Sequence, residues 1–248
     1  MAGFLGVAIA DLLWPPVCAV CPRPLPLVDD GLNLSAHFCP ECLATVEIPS
    51  AACRLCGRPL AGVGEHVCGD CLVSPPPYAG ARSAALHQGA VAHSISLLKY
   101  YGQLRQLKAL SALGLSALAR PGFSHDFDLV VPMPLSAKRQ AERGFNQTFE
   151  LARRLFADRP ELVNVRLLQR SRDEGLHQAS LAAAQRRRAI RGHFQVAAPE
   201  TVRGARLLLF DDVMTTGATA GEAARVLLKA GAAEVRVFTI SRTRRHFW

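Results

Sequence analysis

Two sets of residues in this 248-residue chain have the types and spacing for chemistry. The first is Asp211-Asp212, which ends the apolar run Leu207-Leu208-Leu209-Phe210 and is followed, after two residues, by Thr215-Thr216-Gly217-Ala218-Thr219. Carboxylates at the carboxyl end of a buried strand sit on the usual ligand edge of an open α/β sheet. There they accept hydrogen bonds from sugar hydroxyls and, through water, hold a divalent metal. A small-residue turn that opens a helix leaves backbone N–H groups free to receive an anion. Carboxylate pair and phosphate cradle together suggest a sugar phosphate. The plainer reading is ordinary strand–turn–helix connectivity. Neither G-x-x-x-x-G-K-[ST] nor G-x-G-x-x-G is present, so this is neither a Walker loop nor a dinucleotide fingerprint.

The second set is the eight cysteines, all in C-x-x-C pairs in the first third: Cys18/Cys21, Cys39/Cys42, Cys53/Cys56 and Cys68/Cys71. Two intervening residues let one turn aim both sulfurs at a tetrahedral metal, so four knuckles make two zinc sites of four thiolates each. Sequential pairing is the first reading, with Cys18, Cys21, Cys39 and Cys42 on one ion and Cys53, Cys56, Cys68 and Cys71 on the other. Interleaved and nested pairings stay open from sequence. Disulfides call for an oxidising compartment, which the N-terminus does not suggest. Four thiolates close each site, leaving His37 and His66 as bystanders and the metal as structural.

The elements that must position these groups follow from periodicity. Residues 1–16 read as a short amphipathic helix rather than a signal peptide. Ser74-Pro75-Pro76-Pro77 is a stiff break that divides the chain into domains 1–75 and 76–248. Tyr78–His87 reads as a strand. A helix follows from Ala90 to Lys99-Tyr100-Tyr101-Gly102, then a second carrying Leu104 to Leu118. For Lys99, a solvated helix end and a phosphate contact stand level. Asp128–Pro134 reads as a buried strand leading to Leu135-Ser136, a basic stretch with Lys138, Arg139 and Arg143, and a helix over Phe145–Asp158. Arg139 and Arg143 are either a solvated face or forked contacts to a diphosphate. Asn164–Gln169 reads as a third strand. Arg170–Gly192 is either an exposed basic helix or a loop that closes over a ligand to shut out water. The helix after Thr216 ends at Gly231, Glu234–Ile240 is the last strand, and Arg242, Arg244 and Arg245 read as a solvated basic tail.

Composition bounds the class. Half the residues are hydrophobic and the formal charge is +9, which gives a globular chain suited to anionic partners, phosphorylated metabolites or nucleic acid. No apolar run approaches the ~20 residues needed to span a bilayer. The expectation is no membrane insertion and a cytoplasmic setting.

The order of strand, two acids, two apolar residues and Thr-Thr-Gly resembles the phosphoribosyl-diphosphate (PRPP) signature of type I phosphoribosyltransferases. With the four knuckles, Leu98-Lys99-Tyr100-x-Gly102, Val131-Pro132-Met133-Pro134-Leu135, Arg139-x-x-x-Arg143-Gly144-Phe145-Asn146-Gln147 and Gln178-x-x-Leu181 with Arg186, the chain resembles the ComF family. Ala189 departs from the family's Arg-x-x-Asn segment.

The resemblance implies an α/β fold of the type I phosphoribosyltransferase kind, a mostly parallel sheet flanked by helices, behind a small N-terminal double zinc ribbon. It implies that Thr215, Thr216, Gly217 and Thr219, with Val213, Met214 and Ala218 in the same segment, hold the PRPP 5′-phosphate. Asp211 and Asp212 would hold the ribose hydroxyls. Pro134, Leu135 and Ser136 would form the diphosphate loop, with Lys99, Arg139 and Arg186 as further PRPP contacts. Arg143 joins the two aspartates as a catalytic candidate. Mg2+ would bridge diphosphate and ribose oxygens, and two zinc ions would be structural. The family is linked to natural competence, so the expected function is phosphoribosyl transfer to an acceptor the sequence does not name. The rival is a competence factor that binds single-stranded DNA or a helicase and uses the transferase domain as a PRPP sensor. Oligomeric state is not legible.

Overall fold

Two nine-residue strands, β7 (Arg206–Met214) and β8 (Glu234–Arg242), form the centre of a parallel sheet. The computed structural model describes residues 15–26, 33–62, 64–123, 125–170 and 190–244. Within these, the other strands are β1 (Ala51–Cys53), β2 (Gly64–His66), β3 (Gly80–Leu86), β4 (Leu129–Pro132), β5 (Leu168–Arg170) and β6 (Phe194–Val196). The helices are α1 (Pro40–Leu43), α2 (Gly69–Val73), α3 (Gly89–Tyr101), α4 (Gln106–Leu118), α5 (Ala137–Arg143), α6 (Gln147–Leu155), α7 (Pro199–Val202) and α8 (Ala218–Lys229).

The main sheet has order β3-β8-β7-β4, every pair parallel. Strands covered on both faces read as unbroken apolar runs, as Leu207–Phe210 does. Leu208, Phe210, Phe238 and Ile240 face a core built with α3, α4 and α6, through residues such as Ile95, Leu110 and Leu151. Leu207, Leu209, Val235 and Val237 face a second core with α8, Ile190 and Phe194. These two cores are the flanking layers of the expected α/β architecture.

Four expectations are corrected. The strand carrying the aspartates does not stop at Phe210 but continues to Met214, because β8 also continues and pairs Asp211 with Thr239 and Val213 with Ser241. The hydroxyls of β8 make that polar extension tolerable: Thr239 lies 2.6 Å from the Ser83 hydroxyl and Ser241 is 3.5 Å from the Asp212 carbonyl oxygen. The strand expected over Asn164–Gln169 is only Leu168–Arg170. Among the described residues only Val163 bridges Val130, and β5 pairs antiparallel with β6 in a separate hairpin. The basic stretch after β4 is a helix, α5, with Ser136 as its N-cap accepting from the Arg139 N–H. Finally, Arg242 is not a solvated tail residue: it is 4% exposed within β8. Arg244 pairs with Glu47, while Arg245 lies outside the described residues. So do the N-terminal helix up to residue 14 and the loop positions Gln178, Leu181, Arg186 and Ala189.

The cysteine-rich segment packs onto the sheet domain. Phe38, Cys18 and Cys39 share a core with Ala90 and Ala109, and the buried Gln106 amide donates to the Ala19 carbonyl at 2.7 Å. Thr45 Oγ1 accepts from the Ala90 N–H at 2.9 Å, so a ribbon side chain caps α3 where Gln88 does not. The turn Arg54–Gly57 lies along the outer edge of β3. A Cβ at Gly57 would stand 2.9 Å from the Ala81 carbonyl oxygen, and one at Gly80 would stand 3.0 Å from that of Arg54.

Candidate functional site

The carboxyl ends of β4 and β7 open on the same edge, held by the Met133 N–H donating to the Phe210 carbonyl at 2.8 Å. On β7, Asp212 is 4% exposed. Its Oδ2 accepts from Lys99 Nζ at 2.7 Å and from Gln147 Nε2 at 3.1 Å. Burial alone would raise its pKa, but the Lys99 charge and hydrogen bond, with the Gln147 amide, hold it below the ordinary carboxylate range. Asp211 behaves oppositely. Burial, then the neighbouring Asp212 charge, push it up to about 8. Its Oδ1 accepts from the Asp212 N–H at 2.9 Å. The two adjacent carboxyls are thus pushed in opposite directions, the kind of environment-driven separation found at functional sites.

Of the two alternatives its sequence position offered, the solvated helix end does not hold for Lys99. It is the counter-charge of Asp212, delivered by the last turn of α3. Arg143 joins the same group indirectly: its Nη1 donates to Gln147 Oε1 at 3.0 Å, and its guanidinium lies 5.7 Å over the Tyr100 ring. Asn146 fixes this arrangement. Its side chain caps α6 by accepting from Thr148 and Phe149, and its amide donates to Met133 at 3.2 Å. Thr148 Oγ1 donates to the same carbonyl at 2.7 Å, which ties the Pro134-Leu135-Ser136 turn to α6. Arg139 stays exposed on α5.

Beyond β7, Thr215 and Thr216 are exposed, and Gly217 turns the chain into α8 with φ of 77°. Thr216 Oγ1 accepts from the Ala218 N–H at 3.3 Å, and Thr219 follows in the first turn. Free N–H groups at the start of a twelve-residue helix make an anion cradle. The structure brings Asp211, Asp212, Lys99, Arg143 and this turn to one edge. Gln147 and His87 were missed as site residues. His87 Nδ1 lies 2.9 Å from Ser241 Oγ, and burial, then the Lys99 charge, hold the imidazole below its ordinary value. The sequence names Gln147 only as the last residue of the Arg139–Gln147 motif, and nothing local shows that Arg143, ending α5, and Gln147, opening α6, meet across Gly144.

The cysteines group sequentially: Cys18, Cys21, Cys39 and Cys42 in one cluster, Cys53, Cys56, Cys68 and Cys71 in the other, each with its sulfurs within 4.8 Å of one another. Sulfur separations of 3.6 and 3.8 Å in the first cluster and 3.8 Å in the second match the edge of roughly 3.8 Å that a tetrahedron with Zn–S of about 2.3 Å requires. In Cys18 and Cys53 burial opposes ionisation, yet knuckle N–H groups draw both thiols down to about 6. One of these donors is Cys68 N–H to Cys53 Sγ at 3.4 Å. Arg242 adds a second test. Its buried Nε and Nη1 have no hydrogen-bond partner among the described residues, and the charges around it include Cys56, Tyr78 and Cys53. A four-thiolate zinc centre carries net negative charge, which is what a buried guanidinium there calls for.

An α/β domain with a parallel sheet, joined to a pair of four-cysteine zinc-binding clusters, is thus the class of protein this chain defines. A family model described as "Double zinc ribbon domain" matches residues 9–72. "DNA utilization protein YhgH" of Escherichia coli O157:H7 is 30% identical over 239 residues, covering 92% of this chain and 98% of that protein. "Competence protein ComFC" of Bacillus subtilis (strain 168) is 30% identical over 226 residues, covering 86% and 87%. "Competence protein F" of Haemophilus influenzae is 29% identical and covers 77% and 84%. The chain belongs to the ComF family. Among solved structures, "Structure of the allosteric regulatory enzyme of purine biosynthesis" aligns with TM-score 0.36 and 20% identity over 54% of this chain and 26% of that one. So loose a likeness adds nothing to the sequence relatives. Among the described residues, no helix is long and apolar enough to cross a membrane.

Proposed function

We propose that this chain binds PRPP with Mg2+ and transfers its phosphoribosyl group to an acceptor, in a cytoplasmic role tied to DNA uptake. The observation that carries this reading is the single edge holding the Asp211/Asp212 pair, Lys99 and the Thr215–Thr219 cradle. The cradle takes the 5′-phosphate through backbone N–H groups. Asp212 is ionised and accepts from a ribose hydroxyl. Asp211, whose carboxyl is pushed up by burial and by Asp212, donates a hydrogen bond to the second hydroxyl. Mg2+, when bound with PRPP, neutralises charge on the departing diphosphate. Arg143 and Arg139 lie on the side of the Pro134-Leu135-Ser136 turn, suited to the same charge, and Arg186 would join them from the basic loop. No protein nucleophile is needed.

Calorimetry with PRPP and Mg2+ tests the binding step. Saturable heat is expected from the wild type and its loss from Asp211→Asn combined with Thr216→Val. No heat from the first, or undiminished heat from the second, sinks the reading. A diphosphate-release screen across candidate acceptors then tests turnover.

The names of the relatives favour a second reading, in which the chain handles single-stranded DNA or docks a helicase and PRPP is only a signal. The formal charge of +9 is compatible with it. An electrophoretic shift of single-stranded DNA that weakens steeply from about 50 to 200 mM salt would support it.

A further inference from the structure

We infer that residues 74–78 are a strut that positions the anion cradle from the second zinc cluster, so that a phosphate in the cradle and zinc in that cluster hold each other in place. The inference rests on the cradle reading above for its ligand, and goes beyond it in naming what sets the cradle's shape.

The strut starts at the cluster. Cys68 caps α2 and Cys71 lies within it, and the Ser74 N–H closes that helix on the Asp70 carbonyl at 2.8 Å. Pro75, Pro76 and Pro77 follow. Each proline fixes its own φ, and such a run extends by ~3.1 Å per residue with little give. The far end enters the sheet, where the Ala79 N–H donates to the Val235 carbonyl at 2.9 Å. A movement of Cys71 is therefore passed along the run rather than absorbed by it.

On the way the strut touches the first turn of α8. Gly217, the N-cap, is tied to Gly221 by the Gly221 N–H donating to the Gly217 carbonyl at 2.8 Å. A Cβ on Gly221 would meet Pro77 Cδ at 3.7 Å, and one on Gly217 would meet the Tyr78 hydroxyl at 3.1 Å. The first is ordinary contact. The second is closer than the ~3.5 Å of a relaxed one, so a glycine lets the phenol stand there. Tyr78 is 4% exposed and packs in one core with Met214 and Ala220, which flank the cradle in sequence. Its oxygen is lodged against the turn that offers its N–H groups to the anion.

The same tyrosine feels the cluster. Burial raises the pKa of the phenol, the Arg242 charge opposes that rise, and Cys56, Cys71 and Cys53 add to it. Arg242, itself buried, lies level with Met214 on β8, and the Thr243 N–H donates to the Met214 carbonyl at 3.0 Å. Cluster, Arg242, Tyr78 and the entry to the cradle form one packed unit. A phosphate that favours one placement of the α8 first turn thereby favours the zinc-bound placement of Cys71, and the coupling is reciprocal.

The test uses the zinc-loaded full chain, a chelator and a thiol-alkylating reagent, with peptide mapping to read each set of cysteines separately. PRPP with Mg2+ should slow labelling of Cys53, Cys56, Cys68 and Cys71 by about fivefold or more and leave Cys18, Cys21, Cys39 and Cys42 near their original rate. Equal slowing of both sets, or none when calorimetry shows PRPP bound, overturns the linkage. A second arm needs no ligand. Gly217→Ala pushes a methyl group onto the Tyr78 oxygen and should speed labelling of the second set. Tyr78→Phe removes that oxygen and should cancel most of the acceleration in the double variant. Acceleration that is absent, or that persists with Tyr78→Phe, overturns the strut. If calorimetry shows no PRPP binding, the transferase reading falls while this arm still decides the strut.

Discussion

At the scale of single residues, the Lys99–Asp212 pair decides how the site is held. Removing one partner of a buried pair leaves an uncompensated charge, at a cost of about 3–5 kcal/mol. Lys99→Met should lower urea-unfolding stability at pH 7 by that order, and adding Asp212→Asn should recover most of it. Two simply additive losses would mean the pair is not coupled. Asp211 gives a pH dependence of the opposite kind to a paired carboxylate. Its folded value, about 8, lies above its unfolded one, so the folded state holds the proton that the unfolded state releases. Stability from this group is therefore full below about pH 4 and drains away as pH rises toward 8. Asp211→Asn removes that drain. Its melting temperature should gain on the wild type steadily between pH 5.5 and 8, and a constant difference would contradict the shift. Little of this is legible in the sequence. The motif marks Asp211 and Asp212 as a pair, but which one meets Lys99 depends on how α3 lies against β7, and no local pattern encodes that. Arg242 escapes a sequence reading for the same reason: three arginines near a terminus look solvated until β8 is seen to run through the first of them.

At the scale of elements, periodicity locates strands and helices where it is strong and misplaces them where partners set the limits. The β7 extension past Phe210 exists because β8 offers pairing as far as Arg242. The α5 helix is hidden because a charged heptad such as Ala137–Arg143 buries nothing and carries no periodic apolar stripe. The junction of α3 with the first cysteine cluster is a place where an element can be broken by one methyl group. Gly89 has φ of 50°, and a Cβ there would stand 2.5, 2.6 and 2.7 Å from Thr45 Oγ1, Cβ and O. Gly89→Ala combines overpacking with left-handed strain and should cost about 2–4 kcal/mol, read as a fall in melting temperature. Thr45→Val removes the cap on Ala90 and the hydroxyl's bond to the Cys42 carbonyl, without overpacking, and should cost about 1–2 kcal/mol. If the two variants were equally mild, the contact would not be tight.

At the scale of the whole molecule, both zinc clusters are readable from knuckle spacing, while their sequential grouping is only the first reading of the sequence and is decided by the fold. What spacing does not say is that the second cluster stands against the last strand of the sheet. Arg242→Gln should speed loss of one of two zinc ions to a chelator by roughly 10–100-fold while the other is unaffected, as expected for a group that supports ligands from behind. Equal acceleration at both would point to general loosening instead.

The turn at Arg54–Gly57 also bears on how these molecules behave in company. β3 is an outermost strand, and its unpaired side is an open row of peptide groups on which a second chain can template. Gly57 and Gly80 let the zinc-held turn lie flush over part of that row. Stripping zinc would therefore do more than soften the N-terminal segment. It would bare a sticky border on an otherwise folded sheet, so metal-depleted protein should self-associate in a concentration-dependent way before its sheet domain melts. In that sense the metal acts as a guard against polymerisation.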